Sequence, residues 1–287
     1  MTTSQNKKVS VIVPNFNYKK YIKKRLASIV TQSYPIYELI ILDDASTDGA
    51  DSVIEEEIKN IKEKYPKLKV RFEKNKENSG KAIKQWVKGV KLAKGDYVWI
   101  AETDDLSKKN FLKNAMKGFE DKDVVISYTE SSAINGYGMM LTPNMRFSRD
   151  KERTGHYKRS YTKNGEDEIK EILAIRCSIP NVSAVVFKKS DRLLKIMEKA
   201  AGFTQVGDWY IYLELLEKGK IAYCKKPLNI FRVHKGSVTH NSHKNRAHFD
   251  EIKSIHRMLQ DKYDLNEKTV MYMNDELNRV SMKHGIM

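Results

Sequence analysis

The sequence predicts an α/β fold built on a mostly parallel sheet covered by helices. Three observations carry this. Strand-like and helix-like segments alternate through roughly the first 128 residues, and such alternation implies right-handed crossovers between parallel strands. Tyr97 to Ala101 is an apolar run between Gly95 and an acidic cluster, as suits a strand covered on both faces. Two strand ends carry paired carboxylates, Asp43/Asp44 and Asp104/Asp105, at the edge where ligands bind in open α/β sheets.

Taken in order, Val9 to Val13 is a β-branched run halted by Pro14, hence a first buried strand. Asn15-Phe16-Asn17 makes a turn. Ile22, Leu26, Ile29 and Val30 then fall on one face of a helix that Pro35 closes. Leu39 to Leu42 is the second strand and runs into Asp43-Asp44-Ala45-Ser46-Thr47-Asp48-Gly49. Ser46 is a candidate N-cap for a helix with Val53, Ile54, Ile58 and Ile61 inward, and Asp48 reads as a capping or turn residue. Leu68 to Phe72 gives a third strand. Asn78-Ser79-Gly80 leads a helix that buries Ile83, Trp86, Val87 and Val90. The acid-tipped strand follows, then a helix over 108–120 and a strand from Val124 to Tyr128.

Residues 130–165 are irregular, polar and rich in Lys and Arg, which reads as a long binding or flexible loop. Residues 166–176 and 190–200 look helical, with a strand from Val182 to Phe187 between them. Gly207-Asp208-Trp209 opens a helix with Tyr212, Leu215 and Leu216 inward. Ile221 to Cys224 and Leu228 to Val233 read as a pair of strands around Pro227. Residues 245–287 hold an amphipathic helix through Ile252, Ile255 and Leu259, then a polar tail.

The net charge of +16 comes mostly from lysine. It points to an anionic partner (nucleic acid, an anionic membrane surface or phosphorylated small molecules) or simply to a lysine-rich surface. No run of 18 apolar residues occurs and the first eight residues are polar, so neither a membrane span nor a secretory leader is expected. Cys177 and Cys224 are too few and too far apart for a disulfide framework or a zinc site, and free thiols in a reducing cytoplasm are expected. The first strand is followed by Pro-Asn-Phe-Asn. Neither G-x-G-x-x-G nor G-x-x-x-x-G-K-[ST] is present, which argues against a dinucleotide-binding dehydrogenase and a P-loop NTPase.

An ordered set of motifs over residues 7 to 240 resembles the family 2 glycosyltransferases, which have the GT-A fold. It comprises Val-Ser-Val-Ile-Val-Pro-Asn-Phe-Asn, Leu-Asp-Asp-Ala-Ser-Thr-Asp-Gly, Glu-Asn-Ser-Gly-Lys-Ala and Thr-Asp-Asp as the version of the D-x-D motif. Gly-Asp-Trp and Phe-Arg-Val-His-Lys-Gly-Ser-Val-Thr complete it. The chain departs from the pattern in two places. The acidic motif reads Glu102-Thr103-Asp104-Asp105, which leaves open by a position which carboxylate plays which part, and Phe16 stands where many relatives carry Tyr.

The resemblance implies a GT-A domain with a Rossmann-like central sheet. Residues 1–129 would form the nucleotide-sugar-binding half, 130–240 the smaller acceptor-binding and catalytic half, and 241–287 a helical extension. It implies inverting, metal-dependent transfer of a sugar from a nucleoside diphosphate carrier, a UDP-sugar above all, to a hydroxyl of a glycan or lipid-linked acceptor in surface polysaccharide synthesis. Asp105 would ligate Mn²⁺ or Mg²⁺, and Asp104 would contact the ribose or the metal. His234 would bind the cation or the diphosphate. Asp44 would accept a hydrogen bond from the base between Pro14 and Phe16, with Asn17 beside them and Arg71 or Lys81 near the phosphates. Asp208 would be the base that takes the acceptor proton, unless it only caps its helix. Trp209 would be a sugar platform or core. The expected place is the cytoplasm, at the inner face of the plasma membrane if the basic surface docks on lipid. A non-catalytic nucleic-acid-binding protein and a nucleotidyltransferase are the alternatives. Acids at the ligand edge argue against the first, and the absence of a Gly/Arg/Lys-rich loop after the first strand argues against the second.

Overall fold

The computed structural model describes residues 7–146, 150, 155–236 and 246–285. The N-terminal third follows the hydrophobic pattern closely. β1 (Val9–Asn15), β2 (Glu38–Asp43), β3 (Lys69–Lys74) and β4 (Tyr97–Ile100) alternate with α1 (Lys19–Val30), α2 (Ala50–Lys64) and α3 (Ala82–Leu92). In a strand, successive side chains point to opposite faces, and β1 shows what that does. Val9, Val11 and Val13 join a core under α1 and α2, while Ile12 joins a second core under α3. Gly89 of α3 is required by this packing, because a Cβ there would lie 2.3 Å from Ile12 Cγ2.

Among the described residues the sheet has ten strands. After β4 come β5 (Leu106–Ser107), β6 (Val124–Asn135), β7 (Met140–Thr142), β8 (Tyr161–Asn164), β9 (Val185–Lys188) and β10 (Lys220–Val233). Their order is β3-β2-β1-β4-β9-β6-β10-β5, with β7 on β6 and β8 on β10. β1, β2, β3, β4, β6 and β10 run one way; β9 lies antiparallel between β4 and β6. The remaining helices are α4 (Phe111–Gly118), the short α5 (Gly165–Glu168), α6 (Asp191–Ala200), α7 (Gly207–Leu216), α8 (Arg246–Lys262) and α9 (Glu267–His284).

Three expectations are corrected here. The region expected to be loop, 130–165, carries the second half of β6 and two further strands, because β6 finds a long parallel partner in β10. The two strands expected around Pro227 are one strand, with register shifts on either side of Pro227 that absorb its missing N–H. Ser46 does not cap α2. Its hydroxyl bonds Asp43 and accepts from the Asn17 N–H, and α2 starts after Gly49 in a left-handed conformation (φ 77°). Asp48 is a turn residue just before the cap, accepting from the N–H of Ala50 and of Lys19. β6 runs unbroken through residue 130, inside the expected boundary between halves. Ser237 to His240, the end of the last motif, lie outside the described residues.

Candidate active site

The six co-directional strands end at one edge, and the acidic turn after β4 sits there. Thr103 turns inward and donates its hydroxyl to the Pro14 carbonyl at 2.6 Å, which pins the turn to β1. Asp105 also turns inward and is only 2% exposed. Its Oδ1 accepts from the Arg232 N–H at 2.9 Å and its Oδ2 from the Asn181 amide. Burial, and after it the Asp104 charge, push the Asp105 carboxyl up to about 7. Asp104 faces out instead. Its Oδ2 lies 3.0 Å from His234 Nε2, and its backbone carbonyl accepts from Arg232 Nε at 2.6 Å. Both Asp105 oxygens are taken by donors fixed in the fold, so the outward carboxylate of the pair is Asp104.

Glu102 completes the cluster. The Trp86 indole donates to its Oε1 at 2.5 Å, yet burial and then Asp104 hold its carboxyl up to about 8. A buried guanidinium faces these acids from below. Arg25 is fully buried, donates to Ser107 Oγ at 2.9 Å and lies 5.2 Å from the Trp99 ring centre. Burial lowers its guanidinium to about 10, while Asp105, Asp104 and Glu102 pull it back up. Burial and the Asp104 charge both disfavour ionisation of Glu102 and Asp105, and a cation placed in the cluster would favour their charged forms. Tyr18 and Tyr21 pack on the His234 ring at 5.6 and 5.5 Å.

The nucleotide-side candidates are arranged differently from expectation. Phe16 keeps an exposed ring, 42% accessible, at the edge beside buried Pro14. Asn17 has φ 57°, and its Oδ1 accepts from the Thr47 N–H at 2.8 Å. Its side chain therefore laces the loops after β1 and β2 together. Asp44 is buried, and its oxygens accept from the Asn75 amide, the Ser79 N–H and hydroxyl, and the Gln85 amide at 2.6 to 3.1 Å. A base could reach it only by displacing one of these donors. Arg71 is paired with Glu73 on the outer strand, level with Ile40 and so three residues short of the strand tips. Lys81 Nζ donates to the carbonyls of Ala201, Gly202 and Phe203 at 3.0, 3.1 and 3.0 Å. Both cations are thus engaged by partners within the fold.

Asp208 stands in the first turn of α7, with its Oδ1 accepting from the Trp209 N–H at 2.8 Å. It is partly accessible but crowded, and burial lifts its carboxyl to about 6 with no charged neighbour contributing. The start of α7 meets the start of α3: Ile83 Cδ1 is 3.0 Å from where a Gly207 Cβ would be, and Trp86 holds Glu102. One helix thus touches both the acidic turn and the foot of the Asp208 helix. Trp209 is core. It is 2% exposed, donates to the Leu173 carbonyl at 2.9 Å and meets His256 edge-on at 5.7 Å.

Asn181, Ser183, Arg25 and the Arg232 backbone were not found as site residues in the sequence. Ser183 Oγ accepts from the Glu102 N–H at 3.1 Å, and Asn181 receives an amide bond from Asn229 at 2.9 Å as well as holding Asp105. Only Arg25 left a local signal, as a charge on the apolar stripe between Ile22 and Leu26.

The family model for glycosyl transferase family 2 matches residues 10–179. The chain belongs to that family. Among curated family 2 relatives, it is 33% identical over 134 residues to the putative teichuronic acid biosynthesis glycosyltransferase TuaG of Bacillus subtilis, covering 46% of this chain and 47% of that one. It is 37% identical over 110 residues to the poly(ribitol-phosphate) beta-N-acetylglucosaminyltransferase TarP of Staphylococcus aureus, covering 38% and 32%. These matches span about half or less of the relatives' length. Crystal structures of S. aureus TarS 1-349 include one in complex with UDP-GlcNAc, which superposes with TM-score 0.66 at 19% identity, over 96% of this chain and 72% of that one. A mannosyltransferase from Pyrobaculum calidifontis in complex with GDP-Man and Mn²⁺ gives 0.65 at 18%, over 99% and 73%. The GT-A architecture expected of a family 2 chain is the one found. Among the described residues no helix is long and apolar enough to cross a membrane.

Proposed function

We propose that the protein is an inverting glycosyltransferase that moves a sugar from a UDP-sugar to a hydroxyl of a glycan or lipid-linked acceptor in surface polysaccharide synthesis. The observation that carries this is the meeting of Glu102, Asp104 and His234 at the ligand edge of the sheet, where oxygen and imidazole donors suited to a divalent cation lie together. Family membership supports it, as do the nucleotide-sugar complexes of the structural neighbours.

Asp104 and His234 are the residues that would hold Mn²⁺ or Mg²⁺, with Glu102 facing them. Among the described residues no three His, Cys, Asp or Glu side chains enclose an ion by themselves. The donor diphosphate and water would supply the other ligands, which is the usual arrangement for these ions. A cation held there would supply charge stabilisation to the departing diphosphate. The chain's own residues do the rest. Asp208 takes the acceptor hydroxyl proton onto its carboxylate as the new bond to the anomeric carbon forms and the bond to the diphosphate oxygen breaks. Thr103, Asp105 and Arg232 fix the turn that presents Asp104. Phe16 and the loop organised by Asp44 wall the base.

An anionic membrane surface is proposed as a further partner. Tyr137, Met139, Met140 and Leu141 expose an apolar tip between β6 and β7. At its base the Gly136 carbonyl accepts from the Tyr21 hydroxyl at 3.3 Å and Gly136 lies against His234, while Lys20 sits over the Tyr21 ring at 4.5 Å.

The test is release of UDP from a panel of nucleotide sugars with Mn²⁺, comparing wild type with Asp104→Ala and Asp208→Asn. Loss of UDP binding in the first and loss of turnover with binding retained in the second are expected. A wild type that releases nucleoside diphosphate from no sugar nucleotide would overturn the proposal.

A further inference from the structure

The six residues between α6 and α7 form a strap held from two sides by opposite charges. The amides of Ala201, Gly202 and Phe203 close the end of α6, bonding the carbonyls of Met197, Lys199 and Ala200. The carbonyls of the same three residues all accept from Lys81 Nζ, which spends its three protons there. The next three amides, of Thr204, Gln205 and Val206, all donate to the Glu251 carboxylate at 2.6, 2.9 and 3.2 Å. A carboxylate receiving several backbone N–H bonds makes strong, charge-assisted contacts. Glu251 lies on α8, beyond the family match, and α8 also brings His256 against Trp209. Asp208 follows two residues after the strap ends.

We propose that Lys81 and Glu251 are positioning residues that fix where Asp208 stands and couple it to the nucleotide side. The coupling is through Lys81, because Ser79, which binds Asp44 by its N–H and its hydroxyl, stands two residues before it and has its Oγ 3.3 Å from the Lys81 carbonyl. A nucleotide settling on the Asp44 loop therefore acts on the residue that clamps the strap. This rests on the reading of Asp208 as the base. A carboxylate misplaced by about 1 Å loses on the order of a hundredfold in rate, so the strap is where rigidity matters.

The test uses the full chain and the variants Lys81→Met, Lys81→Arg, Glu251→Ala, Glu251→Gln and Asp208→Asn. Hydrogen exchange of the peptide spanning 201–210 is followed with and without UDP and Mn²⁺, and kcat and KM are measured with the nucleotide sugar that wild type turns over fastest. Exchange at 204–206 should quicken at least tenfold in Glu251→Ala, with kcat down on the order of tenfold to a hundredfold. Donor KM and UDP affinity should stay within about threefold, since the donor contacts are untouched. Glu251→Gln and Lys81→Arg should recover part of kcat, and Lys81→Met should lose the extra protection that UDP gives the strap. Wild-type kcat in both Lys81→Met and Glu251→Ala, or a loss confined to KM, would overturn the inference. If Asp208→Asn is inactive in that case, the base reading survives. If Asp208→Asn keeps full turnover, that reading falls as well.

Discussion

Asp104 Oδ2 and His234 Nε2 lie 3.0 Å apart although 130 residues separate them in sequence. The pairing follows from β4 and β10 ending at the same edge of the sheet. It sets a clear order among the acids of the turn, with Asp104 outward and Asp105 inward.

If Asp104 and His234 hold the cation, replacing either should weaken Mn²⁺ binding in the presence of UDP. His234→Ala should cost roughly tenfold to a hundredfold in metal affinity, and Asp104→Ala more. Titration calorimetry with Mn²⁺ and UDP measures it. Treatment with a chelator should abolish turnover, and added Mn²⁺ should restore it. Unchanged Mn²⁺ affinity in both variants would remove them from the metal's surroundings.

Asp105→Asn should act on stability before chemistry. An amide cannot accept at both positions where Arg232 N–H and Asn181 now donate. One buried donor is then left unsatisfied, at a cost of about 1–3 kcal/mol. Denaturant unfolding should show that loss, with UDP affinity preserved in the protein that remains folded.

The pH dependence of turnover should report Asp208. Its carboxyl is raised from 3.8 to about 6 by burial, and a base works only when deprotonated. The kcat profile should therefore fall as pH drops through about 6. The same shift has an opposite sign for stability. The folded state holds this proton more tightly than the unfolded chain, so stability declines as pH rises from about 4 to about 6. Asp208→Asn should remove both effects, leaving a more stable and inactive protein at neutral pH.

Binding to vesicles tests the apolar tip between β6 and β7. Wild type should sediment with vesicles containing phosphatidylserine and release as salt rises, because charges farther apart than about 8 Å are screened at physiological ionic strength. Tyr137→Ser combined with Met140→Ser should lower that binding at least tenfold while leaving turnover of soluble substrates unchanged. Equal binding by the double variant would exclude the tip as the docking element.

Much of the first half of the fold is legible in the sequence, because its information is local. β-branched runs, the helix stripes at Ile22/Leu26/Ile29 and Ile83/Trp86/Val90, and acids at strand ends each lie within a few residues. The central part reads as loop in the sequence, since β6 and β8 are defined by pairing with β10, some sixty to a hundred residues further on. The site divides in the same way. The sequence by itself determined which residue types could meet a diphosphate and roughly where along the chain. Only the tertiary structure decided that Asp104 faces out and Asp105 in, and that Lys81 clamps a strap rather than facing the site. Those assignments depend on which donors arrive from distant strands and helices to fill each polar atom, and a linear pattern does not encode that competition.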